Sequence, residues 1–154
     1  MSKFSFALLA ALAAGVAHAQ VEVQDPWVRG MVPAQKATGA FLRITSTKAA
    51  KLVGASSPAA GVVEIHRSSM EGGVMRMRRV EAIELPAGQA VELKPGGYHV
   101  MMMQVPKPLT EGQSVPITLV VETADGARES VAIEAPVRAL GTPAHGHGHG
   151  PGKR

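Results

Sequence analysis

Pro95-Gly96-Gly97-Tyr98-His99-Val100-Met101-Met102-Met103-Gln104-Val105 is a turn that opens into a strand. Pro-Gly-Gly is turn chemistry, and the residues after it form an apolar run of strand length. Successive strand side chains point to opposite faces. His99 and Met101 therefore project together, while Val100 and Met102 point the other way. Met102 is read as core. Met103 and Met75 are also read as core filler, because methionine packs irregular gaps.

Working outward, the same pattern recurs along the chain. Alternating or apolar runs occupy residues 21–24, 37–45, 62–66, 74–80, 82–85, 90–93, 115–122 and 130–137. Between them lie Ser57-Pro58, Glu71-Gly72-Gly73, Pro86-Ala87-Gly88 and Asp125-Gly126, all turn signals. Residues 49–52 read as a short turn, and no segment after the leader keeps a helical period. Many short strands punctuated in this way predict an all-β fold, a sandwich or Greek-key barrel.

The two ends read differently from the middle. Lys3 precedes an apolar stretch over residues 4–16, and Ala17-His18-Ala19 follows with the small-x-small pattern that signal peptidase cuts. Residues 1–19 are thus expected to be a signal peptide cleaved after Ala19, too short to span a membrane. Residues 20–139 form the expected single domain of an exported protein. From residue 140 the pattern stops, and Gly and Pro alternate with His145, His147 and His149. So much Gly and Pro cannot bury surface, so residues 140–154 are expected to be a disordered tail. Its imidazoles could hold a borderline cation such as Cu(II) as a secondary site.

Composition removes several functional classes. The formal charge of +4 falls by one with Lys3, is spread along the chain and is not interleaved with aromatics, so nucleic-acid binding has little support. The chain has no cysteine. An electron-transfer copper site needs a thiolate with two imidazoles and a weak axial methionine, so the lack of cysteine nearly excludes that function. No Ser-His-Asp order, carboxylate pair or open three-ligand zinc set suggests an enzyme.

His66, Met77, His99 and Met101 remain, within 36 residues and in the spacing His-x10-Met-x21-His-x-Met. Two imidazoles and two thioethers make a soft, uncharged donor set that selects Cu(I) over zinc, magnesium or calcium. His66 closes the run of residues 62–66, on the face of Glu64. Glu71-Gly72-Gly73 can fold the Met77 strand back beside it, with Met70 read in the loop. No carboxylate is expected among the ligands on their strand faces. Arg67, Arg76, Arg78 and Arg79 flank the set and oppose a dication more than a monocation.

This spacing resembles the motif of the periplasmic copper chaperones of the copper-A type, PCu(A)C. Asp25-Pro26-Trp27-Val28-Arg29, Gly39-Ala40-Phe41-Leu42, Leu52-Val53-Gly54-Ala55-Ser56-Ser57-Pro58 and Pro95-Gly96-Gly97-Tyr98-His99-Val100-Met101 are similar to family landmarks. The resemblance covers residues 21–137. It implies a cupredoxin-like sandwich holding one Cu(I) through His66, Met77, His99 and Met101. It also implies periplasmic delivery to cytochrome c oxidase, chiefly the binuclear copper site of subunit II, or exchange with an assembly thiol protein of the Sco type. A copper-buffering or resistance protein with the same site and no dedicated recipient is the alternative.

Overall fold

The computed structural model describes residues 20–141, so the leader and the histidines of the tail lie outside the described residues. Ten strands run in order: β1 (Val21–Arg29), β2 (Thr38–Ser46), β3 (Ala50–Ser56), β4 (Val62–Glu71) and β5 (Val74–Arg79). Then come β6 (Ile83–Leu85), β7 (Ala90–Leu93), β8 (Tyr98–Met103), β9 (Ser114–Thr123) and β10 (Arg128–Arg138). Their hydrogen-bonded path is β5-β4-β8-β2-β1-β10-β9-β3-β6, with β7 pairing the far half of β2. β10 joins the two halves, running parallel to β1 at Val28↔Val137 and Arg29↔Arg138 and antiparallel to β9 along its length. The result is a cupredoxin-like Greek-key β-sandwich, all-β as the sequence predicts.

Alternation builds its core. Val115, Ile117, Leu119 and Val121 of β9 are buried at every second position. Ala40, Leu42 and Ile44 of β2, Ile65 of β4, and Val100 and Met102 of β8 meet them in the same cluster. Even-numbered residues of β2 thus face in, and Gly39 and Phe41 face out.

One irregularity decides what stands on that outer face. β1 pairs β2 at Gln24↔Arg43 and next at Trp27↔Phe41, so β1 carries one extra residue there. Asp25 adopts a positive φ of 48° beside Pro26, which has no N–H to give the ladder. A bulge of one residue swaps every later side chain to the other face. Val21 and Val23 pair with inward positions before it, and Val28 turns inward after it. Trp27 and Arg29 are thereby sent outward, alongside Phe41.

Three sequence expectations are corrected here. Residues 49–52 contain no isolated turn; they start β3, which pairs both β6 and β9. Its register shifts between Leu52 and Gly54, which breaks the alternation that would announce a strand. β4 does not end at His66 but runs five residues further, pairing β8 through Arg67 and β5 from His66 onward. Met70 is therefore a strand residue. Gly72 and Gly73, with φ of 58° and 80°, make the turn that returns β5 along β4.

Candidate functional site

The register of β4, β5 and β8 brings the four sequence candidates onto one outer face. His66 and His99 stand directly opposite each other, with ring centroids 5.8 Å apart. One row to one side, Met101 is paired with Glu64 on β4 and Gly39 on β2. One row to the other side, Met77 is paired with Ser68. The imidazole pair thus lies between two thioethers.

Small neighbours leave room for both sulfurs. Gly39 adds no side chain beside Met101, and a Cβ there would come within 3.0 Å of the Phe41 ring. Ser68 is short, and its N–H donates to the carbonyl of Gly97 at 2.9 Å, tying β4 to the turn before β8. A cavity of about 330 Å³ opens here, bordered by Met75, Met77, His99, Met101, Phe41 and the Pro95-Gly96 turn.

Each imidazole is held by one nitrogen and leaves the other bare. His99 donates from Nδ1 to the carbonyl of Gly97 at 3.2 Å, and its Nε2 is buried without a partner. His66 donates from Nε2 to Oε2 of Glu64 at 2.8 Å, and its Nδ1 is likewise buried and unpartnered. A buried polar atom left unpaired costs roughly 1–3 kcal/mol, so two in one place demand an explanation. Hydrogen bonding of one ring nitrogen to a carbonyl or carboxylate is the arrangement that orients metal-binding imidazoles. With nitrogen–metal bonds of about 2 Å, rings at this separation can turn one nitrogen each toward a shared ion.

Behind His99 is an aromatic wall. The Phe41 ring lies 6.2 Å from that of His99 and 4.6 Å from that of Trp27. Arg29 and Arg138 cap the wall at 5.3 Å from Phe41 and 5.1 Å from Trp27. These contacts give a physical role to two of the sequence landmarks, which position the rings that shield His99 from water.

His99 is only 3% exposed. Burial pushes its pKa below the 6.5 ordinary for imidazole, more than any other influence; His66 and Arg29 push the same way and the bond to Gly97 opposes them. The unfolded chain therefore takes up this proton before the folded one. Stability is full above about pH 6.5 and is expected to fall as pH drops from there toward the lower folded value. Urea midpoints between about pH 8 and pH 5 should show this decline, and a His99→Gln chain should show a shallower one. Equal slopes in the two proteins would contradict it.

Two sequence expectations about this face are overturned. Glu64, on the face of His66 as the sequence reads, is bonded to it and paired with Met101, so a carboxylate stands beside the ligands although none was read between them. Its position two residues before His66 was the available signal. Met75 is no core filler, since it is exposed on β5; Met103 is only partly buried, whereas Met102 is fully buried as predicted. Among the described residues no group of three or more His, Asp or Glu side chains is placed to hold a metal ion. No helix of those residues is long and apolar enough to cross a membrane.

Fold and face together define a small β-sandwich carrying a His- and Met-lined pocket outside its core. The family described as "Putative lipoprotein LpqE-like" matches residues 21–137, and the chain belongs to that family. "Putative lipoprotein Lxx21020" of Leifsonia xyli subsp. xyli is 32% identical over 114 residues, which span 73% of this chain and 68% of that protein. The fold is similar to the copper-bound PCuAC domain from PmoF2, at 25% identity and a TM-score of 0.63. That match covers 79% of this chain and 94% of that domain. It is also similar to the solution structure of Cu(I)-DR1885 from Deinococcus radiodurans, at 33% identity and a TM-score of 0.53, covering 81% and 83% of the two chains.

Proposed function

We propose that this protein is an exported copper chaperone of the PCu(A)C type. It takes one Cu(I) through His66, Met77, His99 and Met101 and hands it on in the periplasm. The observation that carries the reading is the pair of buried, unpartnered imidazole nitrogens set between two thioethers. The likeness to a copper-bound and a Cu(I)-bound structure supports it. Thioethers and neutral imidazoles are soft donors that favour Cu(I), and Met77, largely exposed at the edge of the site, lets a recipient's ligands approach. Residues 1–19 are the export signal in this reading. His145, His147 and His149 would add a secondary Cu(II) site, since Cu(II) prefers imidazole.

The proposed recipient is the binuclear copper site of cytochrome c oxidase subunit II, directly or through an assembly thiol protein of the Sco type. Mixing the Cu(I)-loaded protein with the apo copper domain of subunit II, separating the two and assaying metal tests this. Copper is expected on the oxidase domain. Copper that stays on the chaperone in the presence of either recipient would favour buffering or resistance instead.

A further inference from the structure

The β4–β5 hairpin projects past the sandwich, and its two faces differ in chemistry. Met70 pairs with Met75, and Met77 pairs with Ser68, so all three sulfurs share the face that carries His66. The other face holds Arg67, Arg76 and Arg78 around Glu71, which bonds both Arg76 and Arg78. Met70, Met75 and Met77 are 63%, 52% and 56% exposed. The other four methionines among the described residues are buried or partly buried. Core packing therefore does not account for these three.

We propose that Met70, Met75 and Met77 form a second, weaker Cu(I) site at the hairpin tip, through which the ion enters and leaves. This rests on the copper reading of His66 and His99. Directly paired strand residues have Cβ atoms about 4.5–5.5 Å apart, and diagonal neighbours stay within reach of long side chains. Three rotatable bonds let each thioether swing toward a common ion. Three soft, neutral donors without an imidazole or carboxylate select Cu(I) and hold it less firmly than the mixed site. Met70 lies four residues beyond His66, about 13 Å at the rise of a strand, so the tip is a separate place. Met77 belongs to both, two residues from the histidine row. An ion held by Met70, Met75 and Met77 can exchange the first two sulfurs for His66 and His99 without leaving Met77. Each exchange makes one metal–ligand bond as another breaks, with no change in oxidation state.

The test is a Cu(I) titration of the full chain under reducing conditions, with methionine methyl carbons labelled and followed by NMR. The Met101 methyl is expected to shift during the first equivalent and those of Met70 and Met75 only in the second. The M70L/M75L chain should lose the second event and keep the midpoint of the first within about twofold, because His66, Met77, His99 and Met101 are all retained. Met70 and Met75 methyls that stay fixed throughout, or that move together with Met101, would overturn the tip site. Failure of the copper reading itself would look different, with a Met101 methyl that does not move at all.

Discussion

Replacing Met77 and Met101 together by leucine is expected to weaken Cu(I) binding at least a hundredfold while leaving the fold intact. Leucine keeps the hydrophobic volume, and such swaps usually cost less than about 1.5 kcal/mol each. Met77 is largely exposed and Met101 only partly buried, so little packing rests on either. What disappears is both sulfur donors, leaving two imidazoles that suit Cu(II) or zinc as well as Cu(I). A hundredfold loss is about 2.7 kcal/mol, a modest demand on two metal–sulfur bonds. Competition against a Cu(I) chelator measures the affinity, and urea unfolding measures the fold. Met102→Leu is the control, because Met102 is fully buried and points into the core. Equal damage from Met102→Leu, or unchanged affinity in the double variant, would break the assignment of faces.

Glu64→Gln is expected to weaken Cu(I) binding by about tenfold, although Glu64 is not proposed to touch the metal. Its carboxylate accepts from Nε2 of His66 at 2.8 Å, which fixes the proton on that nitrogen and leaves Nδ1 as the donor. Partners of this kind typically contribute 10- to 100-fold to metal affinity. Glutamine preserves the shape and can still accept from the ring, but it carries no charge and can present its amide N–H₂ instead. The low end of the range is therefore expected for glutamine and a larger loss for Glu64→Ala. Glu64 is only partly exposed on the outer face, away from the core, so unfolding midpoints should stay close to those of the parent chain. The same chelator competition reads the effect. Affinity unchanged in both variants would mean that the His66–Glu64 bond does not orient the ring for copper.

Much of this fold and site was legible before any coordinates, for reasons that particular segments show. β9 alternates from Val115 to Leu119, so most of its inward set could be read by period, although the outward Val120 is apolar too. The faces of β8 followed the same way, which is why His99, Met101 and Met102 fell where expected. β3 escaped because its register shift near Gly54 interrupts the alternation. The second half of β4 escaped because Arg67-Ser68-Ser69 is polar and reads as a strand end. It is polar because it lies in the projecting hairpin, which has no core to face. Trp27 and Arg29 reach the site only through the bulge at Asp25-Pro26, a shift of one residue that composition does not reveal. Glu64 was visible as a neighbour of His66, but its bond depends on side-chain direction and on the strand that pairs with it. Met75 was misjudged because a methionine carries the same propensity whether it fills a core or waits in water.

X-ray absorption at the copper edge, on the full chain loaded with one equivalent of Cu(I), tests the central claim most directly. The account predicts a mixed shell of two sulfur and two nitrogen scatterers, with the sulfur contribution lost in the chain carrying leucine at positions 77 and 101. A shell of nitrogen and oxygen alone, with no sulfur at one equivalent, would contradict it.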